Sequence, residues 1–230
     1  MSSHALQGDP DIPLILRPSA RARRITLRVS QVDGRVTVTL PRHVPEGEAL
    51  AFAAQKEPWI RKHLSGRQAT VEMVPGAVLP IAGQRVTLTA GTGRSVRLAG
   101  DQLLVPGAGD AMGRRVAGYL KARARDVLAA ASDHYAGRLG HAYTGISLRD
   151  PRSRWGSCSS AGRLMYSWRL ILAPPAVLDY VAAHEVAHLA HMNHGPQFWA
   201  EVERIHGPHA DARRWLRAHG AQLHRYSFGD

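Results

Sequence analysis

Between residues 12 and 41 apolar and polar positions alternate: Ile25, Leu27 and Val29 share one side of an extended chain, Val36, Val38 and Leu40 share another such side, and Asp33-Gly34 lies between the two runs. Period-two alternation predicts strands, and an Asp-Gly pair tolerates the positive φ of a tight hairpin turn. After Pro45 the spacing becomes helical over residues 46–64, with Leu50, Phe52, Ala53, Trp59 and Ile60 available for packing. Pro58 is placed to kink that helix or end its first part. Short apolar runs at 78–81, 85–90, 95–98 and 102–105, separated by glycines, predict a second β-rich stretch, and the glycines of 107–109 predict a boundary.

Residues 114–139 read as one long helix, with Val116, Tyr119, Leu120, Val127 and Leu128 apolar and Lys121, Arg123 and Arg125 polar. Its expected task is to pack behind the helix that follows the next strands. Those strands are expected at 146–148, 154–157 and 163–168, the last two joined by the turn 159–162. Pro174-Pro175 then suits a helix start; Val177, Leu178, Val181, Leu189 and Met192 recur at helical spacing, and Asn193 with Gly195-Pro196 stops the run. Two further helices are expected at 196–205 and 210–223, packing through Phe198, Trp199, Val202, Trp215 and Leu216. The order of elements predicts an α+β protein, with a β-rich N-terminal region carrying one helix (1–106) and a second domain at 107–230.

Composition narrows the class. Apolar content of 44% and charged content of 21% over 230 residues allow a buried core without covalent staples. A lone cysteine, Cys158, excludes an internal disulfide framework and suits a reducing compartment. Neither a signal peptide nor a membrane span is legible, so the expected location is the cytoplasm. The net charge of +12 raises the question of a polyanionic partner, nucleic acid or nucleotide, contacted through a basic surface. Of the 30 basic residues only Lys56, Lys62 and Lys121 are lysine, an arginine bias that codon composition alone can produce. Arg17, Arg21, Arg23, Arg24 and Arg28 decorate the first hairpin, either as a solvated strand face or as a binding surface.

The chemistry concentrates at His184-Glu185-Val186-Ala187-His188. Two histidines four apart on a helix are about 40° apart around the axis and one turn apart along it, so both imidazoles reach one metal ion. Glu185 beside them is placed to take a proton from a metal-bound water. A catalytic zinc has three protein ligands and an open position. His194, just past the helix end, is the favoured third ligand; His191, Glu201 and Glu203 are rivals. On a straight helix, His191 would lie about 10 Å from His184, which makes a shared tetrahedral site awkward.

The run Arg152-Ser153-Arg154-Trp155-Gly156-Ser157-Cys158-Ser159, with Trp168-Arg169-Leu170, Asp179-Tyr180-Val181, the HExxH stretch, Asn193-His194 and Phe198-Trp199, resembles the YgjP-like metal-dependent hydrolases, relatives of the SprT-like and WLM zinc metallopeptidases. The specific part covers about residues 149 to 205. A weaker likeness runs through residues 24–29 and Trp59-Ile60. The resemblance implies a minimal zincin-type (gluzincin-like or SprT-like) fold, an HExxH helix with an antiparallel sheet, zinc on His184, His188 and His194, and Glu185 as general base. Gly195 departs from the serine expected after the third histidine. His191 stands where the metzincin pattern has glycine, and no Met-turn follows, so the metzincin label does not fit.

The leading expectation is a zinc-dependent metallopeptidase acting on a peptide or protein. The same site acting on a nucleotide phosphoanhydride is one alternative, and a nucleic-acid-associated module with a structural metal is another. Arg154 and Trp155 are candidates for the substrate cleft, Trp155 equally for packing. Tyr166 and Tyr180 are candidates for oxyanion stabilisation. Asp179 is placed to orient a ligand imidazole or to serve the helix dipole, and Cys158 reads as a small packed side chain.

Overall fold

A computed structural model of the chain describes residues 3–30, 33–65, 69–107 and 111–229. Of the predicted glycine boundary, Ala108 and Gly109 lie outside the described residues. The chain divides into two compact units, Met1–Ala69 and Thr70–Asp230. The division therefore falls well before residue 107. Leu79, Ile81, Val86, Leu88, Leu103 and Val105 belong to the same buried cluster as the long helix and the histidine helix, so burial assigns these strands to the second unit.

The first unit contains β1 (Ser3–Leu6), β2 (Ile12–Ser19), β3 (Thr26–Val29), β4 (Val36–Pro41), α1 (Glu46–Gln55) and α2 (Glu57–Ser65). Its sheet has the order β1-β2-β4-β3. β3 and β4 form the expected antiparallel hairpin, with Gly34 at φ 71° in its turn, while β2 runs parallel to β4. Leu14, Leu16, Val36, Val38 and Leu40 are buried with Ala49, Ala53 and Ile60 of the helices. The helical stretch breaks at Lys56 (φ −96°, ψ 5°), ahead of Pro58, which sits in the first turn of α2 where no N–H is needed.

The second unit contains β5 (Val71–Glu72), β6 (Val78–Ile81), β7 (Gln84–Gly91), β8 (Arg97–Ala99), β9 (Gln102–Pro106), α3 (Ala111–Leu139), β10 (Gly145–Arg149), β11 (Gly156–Cys158), β12 (Arg163–Ser167), α4 (Pro175–Ala187), α5 (Pro196–His206), α6 (Ala210–His219) and β13 (Tyr226–Ser227). Short 3-10 segments, Trp168–Leu172 and Gly220–Arg225, follow β12 and α6. Four strands pair in the order β6-β7-β9-β8, three in the order β10-β12-β11, and β13 pairs with β5. The α+β class holds, but the sheet beside the histidine helix is mixed and not antiparallel. β11 and β12 form the antiparallel hairpin, whereas β10 lies parallel to β12 on its other edge. A longer connection through residues 150–155 makes that crossover.

α4 is buried nearly all round: Val177, Leu178, Tyr180, Val181, Ala182, Ala183, Val186 and Ala187 are all covered. Such a helix is held from every side, which suits it to carrying ligands at fixed positions. α3 packs along it, as expected, and ties to it by a hydrogen bond from the Tyr135 hydroxyl to Asp179 at 2.5 Å. Asp179 therefore faces α3, not a ligand imidazole. Among the described residues no helix is long and apolar enough to cross a membrane.

Arg169, in the 3-10 segment after β12, is buried rather than part of the basic surface. Its guanidinium donates to both carboxylate oxygens of Asp150, at 2.7 and 2.9 Å, and to the carbonyls of Leu223 and Tyr226, at 3.0 and 2.9 Å. His224 is packed beside this clamp and against Trp155, their rings 5.3 Å apart. Burial, with Arg169 next in weight, lowers its pKa to about 4. The unfolded chain takes up that proton near pH 6.5 and the folded chain only near 4, so stability must fall as pH drops through that window. Thermal unfolding midpoints from pH 7 to 4 should decline less steeply in His224→Gln than in the parent, by up to about 3 kcal/mol of differential stability. Parallel curves would exclude His224 as a source of the acid sensitivity.

Candidate metal centre

α4 delivers His184 and His188 one turn apart, and the chain then leaves the regular helix earlier than its apolar spacing predicts. Leu189 and Ala190 donate to Val186 and Ala187 over three-residue turns of 2.9 and 3.1 Å. This tightening brings the carbonyl of His191 back to the Nδ1 of His188, at 3.0 Å. His191 thus contributes a backbone acceptor, and its side chain is not among the converging rings. His194, beyond the break, returns so that its Nε2 lies 3.0 Å from that of His184. One ring nitrogen from each of His184, His188 and His194 lies within 4.8 Å of the others, the only such donor group among the described residues. The other rivals are engaged elsewhere, Glu201 with Arg204 and Glu203 with His209.

The remaining nitrogens of the two helical histidines are already occupied. The Nδ1 of His188 donates to the His191 carbonyl, and the Nδ1 of His184 lies 3.3 Å from the Tyr180 hydroxyl. Both Nε2 atoms are left facing the common centre. Burial lowers the His184 pKa to about 3, with His188 and His194 adding to the effect, and burial also lowers that of His188. The rings therefore stay neutral at physiological pH, the state that binds a cation. Two imidazole nitrogens on a tetrahedral zinc stand about 3.3 Å apart, so the observed spacing of His184 and His194 fits with a shift of a few tenths of an ångström.

Tyr180 is itself fixed by a column of rings. His209 stacks on it at 5.6 Å and 4°, Trp199 stacks on His209 at 5.6 Å and 11°, and the guanidinium of Arg213 lies 4.2 Å from the centre of the Trp199 ring. Burial pushes the Tyr180 hydroxyl up to about 12, so it stays protonated.

Glu185 points from α4 towards β11. A Cβ added to Gly156 would stand 2.5 Å from both the Cγ and an oxygen of Glu185, so only glycine lets the carboxylate lie against this strand. Burial raises the Glu185 carboxyl to about 8, and the charge of Arg154 pulls the other way. A cleft of about 250 Å3 is lined by Gly156, Ser157, Cys158, His184, Glu185, His188, Met192 and His194. Met192, expected in the helix body, is half exposed here because the helix has already ended.

The predicted substrate contacts divide. Arg154 is exposed and acts on Glu185 through its charge. Trp155 packs on Gly220 and His224, the structural one of its two expected roles. Tyr166 is wholly buried, its hydroxyl 3.0 Å from Ser132 Oγ and 3.5 Å from the Ala182 carbonyl, so no substrate reaches it. Cys158 lines the cleft without joining the histidine group, and burial raises its thiol pKa. Gly156 is the residue that reading the sequence alone passed over: it stood in the quoted motif, but nothing along the chain says that it faces Glu185.

Three converging imidazoles with a buried glutamate beside them on an α+β scaffold define a metal-dependent hydrolase. A model of the family described as YgjP-like, metallopeptidase domain matches residues 23–219, and the chain belongs to that family. No curated protein matches. One solved structure, "Crystal structure of the metallopeptidase zymogen of Pyrococcus abyssi abylysin", is similar at 21% identity and TM-score 0.36, over 45% of this chain and 97% of its own. So low a score carries no argument about this chain.

Proposed function

We propose that the protein is a zinc metallopeptidase in which His184, His188 and His194 hold the metal and Glu185 is the general base. The observation that carries this reading is the convergence of three imidazoles, the two helical ones with their Nδ1 atoms engaged, next to a carboxyl group for which Gly156 makes room. Zinc in such a site polarises a carbonyl and lowers the pKa of a water towards neutrality. Tyr180 and the His191 carbonyl orient the rings of His184 and His188. Burial makes the ionised Glu185 a stronger base, and the charge of a bound zinc would favour that ionised form; Glu185 then takes the proton of the attacking water and hands it to the leaving amine. Its backing by Gly156 limits the positions its oxygens adopt.

A structural metal needs a fourth protein ligand, and the donor group among the described residues has three members. A phosphoanhydride substrate calls for cations beside the reacting phosphates, yet no lysine or arginine lines the cleft, and the exposed Arg154 reaches Glu185 through its charge alone. Peptide is the substrate class that these walls favour. The test is a panel of casein-like proteins, peptides and nucleoside triphosphates offered to zinc-loaded protein. Peptide-bond cleavage is the expected result; release of phosphate or pyrophosphate without proteolysis would overturn the peptidase reading.

Removing only the Tyr180 hydroxyl should weaken zinc binding by about 10- to 100-fold, the usual effect of losing a partner that orients a ligand imidazole. Chelator competition on Tyr180→Phe measures this. An unchanged affinity would leave Tyr180 as packing alone.

A further inference from the structure

In the first unit the two sides of the sheet differ in charge. α1 and α2 cover one face and bring Glu46, Glu48 and Glu57 with them. The other face carries the alternate residues of each strand: Pro13, Ile15 and Arg17 on β2, Thr37 and Thr39 on β4, and Thr26 and Arg28 on β3, with Arg17, Thr26 and Arg28 exposed. The register sets Arg17 opposite Thr39 and Arg28 opposite Thr37, so the two arginines flank the threonine row of the central strand diagonally. No acidic residue occurs within β2, β3 or β4. Arg21, Arg23 and Arg24 lie in the β2–β3 connection and are exposed too.

Elsewhere in the unit Arg61 pairs with Glu57 and Arg35 with Asp33, while the exposed Arg42, just past β4, has no partner among the described residues. The guanidinium groups of Arg17, Arg21, Arg23, Arg24 and Arg28 have no partner among the described residues. Five unmatched positive charges within a dozen residues repel one another, a cost that a bound polyanion removes. Strands stand about 4.8 Å apart and rise about 3.4 Å per residue, which separates Arg17 and Arg28 by roughly 12 Å. That span matches two phosphates about two nucleotides apart on an extended strand. Thr26, Thr37 and Thr39 supply hydroxyl donors between them. Across β2, β3 and β4 this face has no aromatic side chain on which a base stacks, and its one large apolar side chain, Ile15 beside Thr37, is half-buried instead of being presented to a bilayer.

We infer that this open face of the first unit binds the phosphate backbone of nucleic acid, without regard to base sequence. The inference rests on the first unit alone and is independent of the hydrolase reading. Fluorescence anisotropy of the full chain with labelled 20-nucleotide single strands of two unrelated sequences, a duplex and an RNA tests it. Affinity should be similar for both sequences and should fall steeply between about 50 and 200 mM salt. Arg17→Gln with Arg28→Gln should weaken binding at least tenfold and flatten the slope of log affinity against log salt by about 1.4 to 1.8, depending on the strand form. Arg125→Gln with Arg149→Gln, which removes the same charge from exposed sites of the second unit, should change affinity less than threefold. Circular dichroism and unfolding midpoints establish that both double variants are folded. No binding at 50 mM salt, equal losses in the two double variants, or binding confined to phosphatidylserine vesicles would each overturn the inference.

Discussion

Glu185→Gln is expected to lower turnover on a cleaved peptide by about 10²- to 10⁴-fold while zinc content stays near one per chain. Glutamine keeps the size and burial of the side chain, and its amide cannot take a proton at neutral pH. Gly156→Ala reaches the same group from the opposite wall. Its new methyl would overlap the Glu185 side chain at 2.5 Å, and α4 is too firmly packed to retreat, so the carboxylate must swing away. Turnover should fall by a comparable factor, with zinc retained and an added destabilisation of about 1–3 kcal/mol from overpacking. Steady-state kinetics, elemental analysis and thermal midpoints on the two variants separate the effects. Full activity in Glu185→Gln would end the general-base assignment; full activity in Gly156→Ala would show that the contact with β11 does not position the base.

Metal content should discriminate among the four histidines. His184→Ala and His188→Ala each remove a ligand from a rigid helix and should lose most of the zinc, since two nitrogens underdetermine the site. His194→Ala should weaken zinc in the same direction. His191→Ala should retain it, because the contribution of His191 is a carbonyl that alanine also has. Chelator titration with elemental analysis across the four variants reads out the set. Undiminished zinc in His184→Ala and His188→Ala would remove the metal hypothesis, and unchanged affinity in His194→Ala would move the third ligand elsewhere.

Local patterns along the chain carried much of this. Alternation placed β3 and β4 and the turn at Gly34, and the four-residue spacing brought His184 and His188 together because helix geometry alone determines it. What escaped depends on neighbours remote in sequence. The strands at 78–105 read as a second β-rich stretch of the N-terminal region, yet their apolar faces are buried with α3 and α4, an alliance that periodicity cannot express. Tyr166 and Tyr180 look equivalent on paper. One is sealed against Ser132 and the other touches the His184 ring, and only the packing of β12 and α4 separates them. The parallel placement of β10 likewise follows from a crossover whose anchor, Arg169, reads in sequence as one more basic residue.

That anchor extends the influence of Leu223 and Tyr226 to the cleft. Arg169 grips Asp150 with one side of its guanidinium and the carbonyls of Leu223 and Tyr226 with the other, and residues 150–155 run directly into Gly156. Trp155, immediately before that glycine, rests on Gly220. Trimming the chain near residue 220, or nicking it between 221 and 226, would strand a buried guanidinium without two of its acceptors and loosen the segment that presents β11 to Glu185. An affinity handle or fusion partner is therefore poorly tolerated when grafted in place of residues 220–226.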